Sequence, residues 1–194
     1  MHHTSLREMI LCALFVALVA VGAFVRIPVG TDVYTLQFMF TLLAGLLLGP
    51  RLGATAVMTY ILLGLIGVPV FASGGGPAYV LQPTFGYLIG FVIQAWYCGM
   101  ASRHLSRRTF KRLLAVNGVG MVIVYLIGIS YFYFVSNYVI DAPIAVWPVI
   151  FYCGILQVVP DFLLCVAAAG LAVRLEHAGI WVEEGTAEQR TGTV

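Results

Sequence analysis

The sequence predicts an all-α integral membrane protein of six transmembrane helices with both termini cytoplasmic, and three observations lead there. Hydrophobic residues make up 61% of the 194 and charged residues only 9%, against about a quarter charged in a soluble domain. Mean hydropathy is +1.00. The apolar residues gather into six runs of the length a hydrocarbon core demands, about 20 residues each with some shorter. The runs consume almost the whole chain, so it is expected to form one membrane domain over 1–194, with short cytoplasmic tails at about 1–7 and 176–194.

The first span is expected at 9–25, closed by Arg26 beside Ile27-Pro28. It is too long for a signal peptide and has no small-residue cleavage site. The second (36–48) and third (53–67) are short and divided only by Gly49-Pro50-Arg51-Leu52. The fourth (85–101) is followed by a basic loop at 103–112, the fifth covers 113–135, and the sixth covers 148–173 beyond the turn Asp141-Ala-Pro143. Six spans put both termini on one side, with Arg7, Arg51, Arg103, Arg107, Arg108, Lys111, Arg112, Arg174 and Arg190. Only Arg26 falls opposite. Basic residues concentrate in cytoplasmic loops, so the termini are expected inside the cell, in a multi-pass protein of the cell membrane.

Several chemistries lack their parts. The net charge of +2 gives no nucleic-acid partner. Cys12, Cys98, Cys153 and Cys165 lie inside apolar segments with no C-x-x-C pair, as small buried hydrophobes do. His2, His3, His104 and His177 sit at chain ends or in a loop, which disfavours a histidine-based intramembrane protease. No G-x-x-x-x-G-K-[ST] occurs, so the chain has no phosphate-binding loop of its own. No catalytic residue, cofactor or metal is expected.

The informative stretch is the uncharged run 64–90. From 68 to 83 it is too rich in Gly and Pro to stay helical, yet too apolar for a solvated loop. Such backbone at a bilayer edge is tolerated where it is packed in protein or lines a cavity, and the topology places it outside. Asp161 is the single formal charge well inside a span. Buried carboxylates of this kind face a polar partner or cavity: either a ligand acceptor or a protonated, internally bonded acid. Pro160 beside it frees a helix carbonyl. Arg26 is shaped to meet a ligand carboxylate, and snorkelling to headgroups accounts for it equally. Ala13 and Ala17, four apart with Ala20 and Ala23 nearby, give the first span a face of small side chains for helix packing. Gly45-x-x-x-Gly49, Gly49-x-x-x-Gly53 and Gly86-x-x-x-Gly90 read as internal packing.

A set of motifs in fixed order carries a resemblance. Thr35-Leu36-Gln37, Leu43-Ala-Gly-Leu-Leu-Leu-Gly-Pro-Arg-Leu-Gly53, Tyr60 through Gly67-Val-Pro-Val-Phe-Ala72, and Pro83-Thr-Phe-Gly-Tyr-Leu-Ile-Gly-Phe91 closely resemble the BioY family. Its members are the biotin-specific substrate-binding (S) components of energy-coupling factor (ECF) transporters. The match is dense from about 27 to 99 and weaker beyond.

The resemblance implies a six-helix S-component fold with a vitamin site near the outer face, covered by the loops between spans one and two and between spans three and four. It implies partners: a transmembrane scaffold, met through the small face at Ala13 and Ala17, and two cytoplasmic ATPases. The pocket is expected to be formed by Asp161, Tyr87, Ser73, Gln37 and Thr35, with Arg26 as a cation for a carboxylate; of these the family's pattern itself carries over Asp161. Asp161 would accept from a ureido N–H. Tyr87 would stack or hydrogen-bond, and Ser73, Gln37 and Thr35 would hydrogen-bond from the outer loops. The family's last helix carries an Asp followed three residues later by Lys. Asp161 matches, but Leu164 stands at the Lys position. A biotin precursor or another small carboxylate therefore stays open as cargo. An intramembrane enzyme and a non-transporting scaffold are the rival classes.

Overall fold

A computed structural model describes residues 5–29 and 32–179; most of the two expected tails lies outside them. Six membrane helices follow one another: α1 Leu6–Phe24, α2 Gln37–Leu48, α3 Pro50–Leu65, α4 Phe85–Arg103, α5 Phe110–Tyr138 and α6 Val146–His177. Between α1 and α2 lies a feature the span reading did not anticipate, an antiparallel hairpin of β1 Arg26–Val29 and β2 Asp32–Thr35, with Arg26 opposite Thr35. A 3₁₀ turn, Pro77–Leu81, interrupts the irregular connection between α3 and α4.

Helix α1 begins three residues earlier than its apolar run because Ser5 and Glu8 form a capping box. The Ser5 hydroxyl accepts from the Glu8 amide at 3.3 Å and the Glu8 carboxylate accepts from the Ser5 amide at 2.9 Å, satisfying two first-turn donors reciprocally. Helices α2 and α3 have 12 and 16 residues. At 1.5 Å per residue α2 reaches about 18 Å, short of a ~30 Å hydrocarbon core. Its sequence is apolar because it is central: Thr41 through Leu48 are all buried, so its length is set by neighbours rather than by lipid.

The α2–α3 junction is a single residue. Gly49 adopts φ +85° and Pro50 starts α3, where its missing N–H costs nothing. A Cβ on Gly49 would fall 1.8 Å from the Arg103 guanidinium. Arg103 donates to the Leu48 carbonyl at 3.3 Å and Arg108 to the Leu46 carbonyl at 2.8 Å. These cations thus satisfy the carbonyl end of α2, where the helix dipole also favours them. Arg108 lies 3.5 Å from Glu176. Burial pulls the Arg108 pKa down to about 10 even though Glu176 opposes that shift, so the group stays a cation at neutral pH. Arg7 donates to the Gly179 carbonyl at 2.7 Å. The start of α1, the end of α6 and the α4–α5 loop therefore share one end of the bundle, and the hairpin and 3₁₀ turn lie at the other.

The glycine pairs pack internally, as their spacing predicts. A Cβ on Gly45 would lie 2.4 Å from the Ala95 carbonyl, one on Gly53 2.7 Å from the Ala44 carbonyl, and one on Gly86 2.3 Å from Tyr131 Cβ. Cys98, Cys153 and Cys165 are buried free thiols and Cys12 is half-buried.

In α6 Val149, Cys153, Gln157, Asp161 and Cys165 are buried at every fourth position, with Gly154 buried beside Cys153. In a regular α-helix a four-residue step overshoots a full turn by about 40°, so such a stripe would wind off its face. A π-helical turn at Phe151–Ile155 takes up part of the excess and keeps Val149 and Cys153 in line with Gln157 and Asp161. Beyond Cys165 the pattern reverts to ordinary spacing at Ala168, Ala169 and Ala172.

Candidate ligand-binding site

A cavity opens at the hairpin end of the bundle, and every helix except α1 contributes wall. The end of β2 and start of α2 bring Thr35, Gln37 and Phe38; α3 brings Tyr60; the α3–α4 connection brings Phe71, Ala72, Ser73, Tyr79 and Thr84. Helix α4 adds Tyr87, Leu88 and Phe91, α5 adds Val124, and α6 adds Gln157 and Asp161. The residues are aromatic in the middle with polar groups at separate points, the pattern of a small-molecule site.

The α3–α4 connection reaches the cavity because Gly64 leaves room for it. The Phe71 ring lies where a Gly64 Cβ would come, 2.0 Å away, and stacks between Tyr60 (5.5 Å, edge-on) and Tyr79 (4.3 Å, tilted). Such pairs hold beyond the area they bury. The Tyr60 hydroxyl donates to the Val70 carbonyl at 3.1 Å and the Gly76 amide to the Gly64 carbonyl at 2.7 Å. The connection is thus a packed cover, not a solvated loop. Burial pushes the Tyr79 hydroxyl up from its ordinary pKa, so at neutral pH it is a phenol able to donate.

Five of the six residues expected to bind ligand meet here: Thr35, Gln37, Ser73, Tyr87 and Asp161. Asp161 is 4% exposed and accepts a hydrogen bond from the Tyr125 hydroxyl at 2.8 Å. Gln37 is also 4% exposed. Its Nε2 is buried with no hydrogen-bond partner among the described residues. The Tyr60 hydroxyl is its neighbour on the wall without a hydrogen bond of normal length between them, so the amide is a donor open to a ligand acceptor. Ser73 is exposed at the rim. Tyr87 is buried, and its hydroxyl donates to the Cys153 carbonyl at 3.0 Å, inside the π turn of α6.

Arg26 is the exception. It does not line the cavity; it is exposed and donates to the Ala72 carbonyl, fastening the hairpin to the cover beside Ser73. Neither reading of Arg26 from sequence, ligand partner or headgroup anchor, included this bond. Leu164 packs half-buried against the core and is likewise absent from the cavity wall. Sequence reasoning missed Gln157, Tyr60, Tyr79 and Tyr125. Gln157 carried a signal, since it stands one turn before Asp161 on the same face. The tyrosines carried none, Tyr60 and Tyr125 lying inside apolar helices and Tyr79 in the 3₁₀ turn. Ala13 and Ala17 are both exposed on α1, on a face with Ile10 (59%) and Leu14 (50%), whereas Ala23 is buried.

Comparison with known proteins gives a consistent result. The BioY family model matches residues 1–179. A probable biotin transporter BioY of Lysinibacillus sphaericus is 42% identical over 172 residues, 88% of this chain and 87% of that protein. The biotin transporter BioY of Thermotoga maritima is 40% identical over 134 residues, 69% of this chain and 76% of its own length. A solved S-component for biotin from an ECF-type ABC transporter superposes with a TM-score of 0.77 at 25% identity, covering 88% of this chain and 91% of that one.

Proposed function

The chain belongs to the BioY family, and from that premise we propose that it is the substrate-binding membrane subunit for biotin uptake by an ECF transporter. The observation that carries the reading is one cavity holding a carboxylate acceptor, Asp161, and a partnerless amide donor, Gln37, among aromatic side chains. A fused bicyclic ureido compound asks for that set: N–H groups for Asp161, a carbonyl for a donor, and apolar rings for Phe38, Phe71 and Phe91. Thr35 and Ser73 complete the polar rim. Tyr87 contributes its ring face, since its hydroxyl is engaged by Cys153. Equilibrium binding of labelled biotin to the purified protein tests this. Submicromolar affinity that Asp161→Ala abolishes is the expected result, and no binding below micromolar overturns the biotin assignment.

The end that gathers Arg7, Arg103 and Arg108 near both chain ends is placed in the cytoplasm on the positive-inside rule, and the cavity opens outside the cell. The Ser73→Cys protein should then react with an impermeant maleimide on intact cells; labelling only after lysis reverses the orientation. Energy comes from a scaffold subunit and two ATPases, met through the exposed face at Ala13 and Ala17. The chain itself transports without catalysing a reaction.

A second reading has its own support. Leu164 stands where the family's last helix carries Lys, and Arg26, bonded to Ala72 beside Ser73, is off the described cavity wall, so a cargo carboxylate would meet Arg26 at the rim and not a lysine in the last helix. A biotin precursor or other small carboxylate with the same polar head is the alternative cargo. Competition between labelled biotin and its precursors separates the two.

A further inference from the structure

The regular hydrogen bonding of α6 does not fix where its polar residues point. Between Phe151 and Asp161 the helix passes from a π turn to α geometry, and Pro160 then withholds one backbone donor, freeing the carbonyl four residues earlier. Regular helix specifies a side chain's direction by rigid repetition. This stretch has two interruptions within ten residues, and the ligand acceptor sits at its end.

Two phenols from neighbouring helices hold the stretch at both ends. Tyr87 of α4 donates to the Cys153 carbonyl at 3.0 Å, within the π turn. Tyr125 of α5 donates to Asp161 Oδ2 at 2.8 Å. Gln157 stands between them, one turn from each, and lines the cavity with Asp161. The clamp is built into the α4–α5 packing. A Cβ on Gly128 would lie 2.6 Å from the Tyr87 ring, so that ring lies directly on the α5 backbone, and Tyr125 is one turn earlier on the same helix. Tyr125 is not part of the cavity wall, so its hydroxyl acts through Asp161.

We infer that Tyr87 and Tyr125 are positioning residues, a two-point clamp on the irregular part of α6 that aims Gln157 and Asp161 into the cavity. This rests on the cavity being the ligand site. It also gives Tyr87 a duty other than hydrogen-bonding ligand: its hydroxyl donates to the helix.

Tyr87→Phe and Tyr125→Phe each delete one oxygen and keep the ring, so packing survives. Each should weaken labelled-biotin binding to the purified full-length protein about tenfold, as loss of a hydrogen bond to a polar or charged group does, with helix content by circular dichroism unchanged. Infrared difference spectra read Asp161 without ligand, its carboxylate stretch being identified by subtraction of the Asp161→Asn protein. Tyr125→Phe should shift that band, because it removes a donor from Oδ2, and Tyr87→Phe should leave it in place. Binding within twofold of the parent in both Phe variants overturns the clamp. A carboxylate band unmoved by Tyr125→Phe overturns the Tyr125 half of it. If the parent protein binds no biotin, the proposed function fails, while the infrared band still decides whether Tyr125 holds Asp161.

Discussion

Gln37 and Asp161 are complementary in chemistry and opposite in condition. Asp161 has an oxygen engaged by Tyr125, whereas the Gln37 amide nitrogen is buried without a partner. Removing a satisfied buried group costs stability, but removing an orphaned one can be neutral or favourable. Gln37→Leu should therefore leave the ligand-free unfolding temperature unchanged or slightly higher and weaken biotin binding by about 1–2 kcal/mol. Thermal unfolding and equilibrium binding on one preparation check both signs. A destabilised variant with parent affinity would show that the amide serves the fold and not the ligand. Asp161 was legible as a candidate because a charge in an apolar run is rare and expensive, and Gln37 through the Thr35-Leu36-Gln37 motif at the first outer loop. Arg26 was legible only as a cation on the outer side; its bond to Ala72 needs two segments 46 residues apart to be placed first.

At the scale of elements, the cover over the cavity depends on a glycine in a helix it does not belong to. Phe71 occupies the space a Gly64 side chain would take, and it anchors the Tyr60–Phe71–Tyr79 stack. Gly64→Ala should push the ring out and loosen the connection. Biotin affinity should fall by tenfold or more while α3, which gains a better helix former, folds as before. Proteolytic nicking between α3 and α4 reports the loosening, and a variant with parent affinity and protease resistance would remove Gly64 from this role. The non-helical character of 68–83 was readable from Gly and Pro. The hairpin was readable too, from β-branched residues flanking Gly30-Thr31, but the span reading spent those residues as a connection. The π turn of α6 left no clear mark in the sequence, because Gly154 beside Cys153 also gives the buried residues ordinary helical spacing.

At the scale of the molecule, α1 packs through Phe15, Val19, Gly22 and Ala23 and leaves a long face outward. Lipid can cover Ile10 and Leu14 there, but small residues such as Ala13 and Ala17 let another helix approach closely. Ala13→Trp should abolish biotin uptake by cells while labelled biotin still binds the purified subunit. Uptake at the parent rate would remove this face as the docking surface, and loss of binding along with uptake would mean a folding defect instead. The cation distribution acts at this scale as well. Arg103 and Arg108 close the carbonyl end of α2, and Arg7 joins the two chain ends. Residues read from sequence as topology markers thus also finish the bundle.

The sequence by itself determined the membrane class and the helix count, and it pointed to the region of the candidate site. Those follow from composition, run length and backbone preference, which are local properties summed along the chain. It also singled out Asp161, because a charge within an apolar run is conspicuous without any neighbour being known. Tertiary structure decided what that carboxylate touches, that Gln37 is left without a partner, that Arg26 fastens a cover, and that α2 is short because other helices enclose it. Each is a relation between segments distant in sequence. Their physical causes, hydrogen-bond distance, ring contact and burial, come into being only when the helices pack.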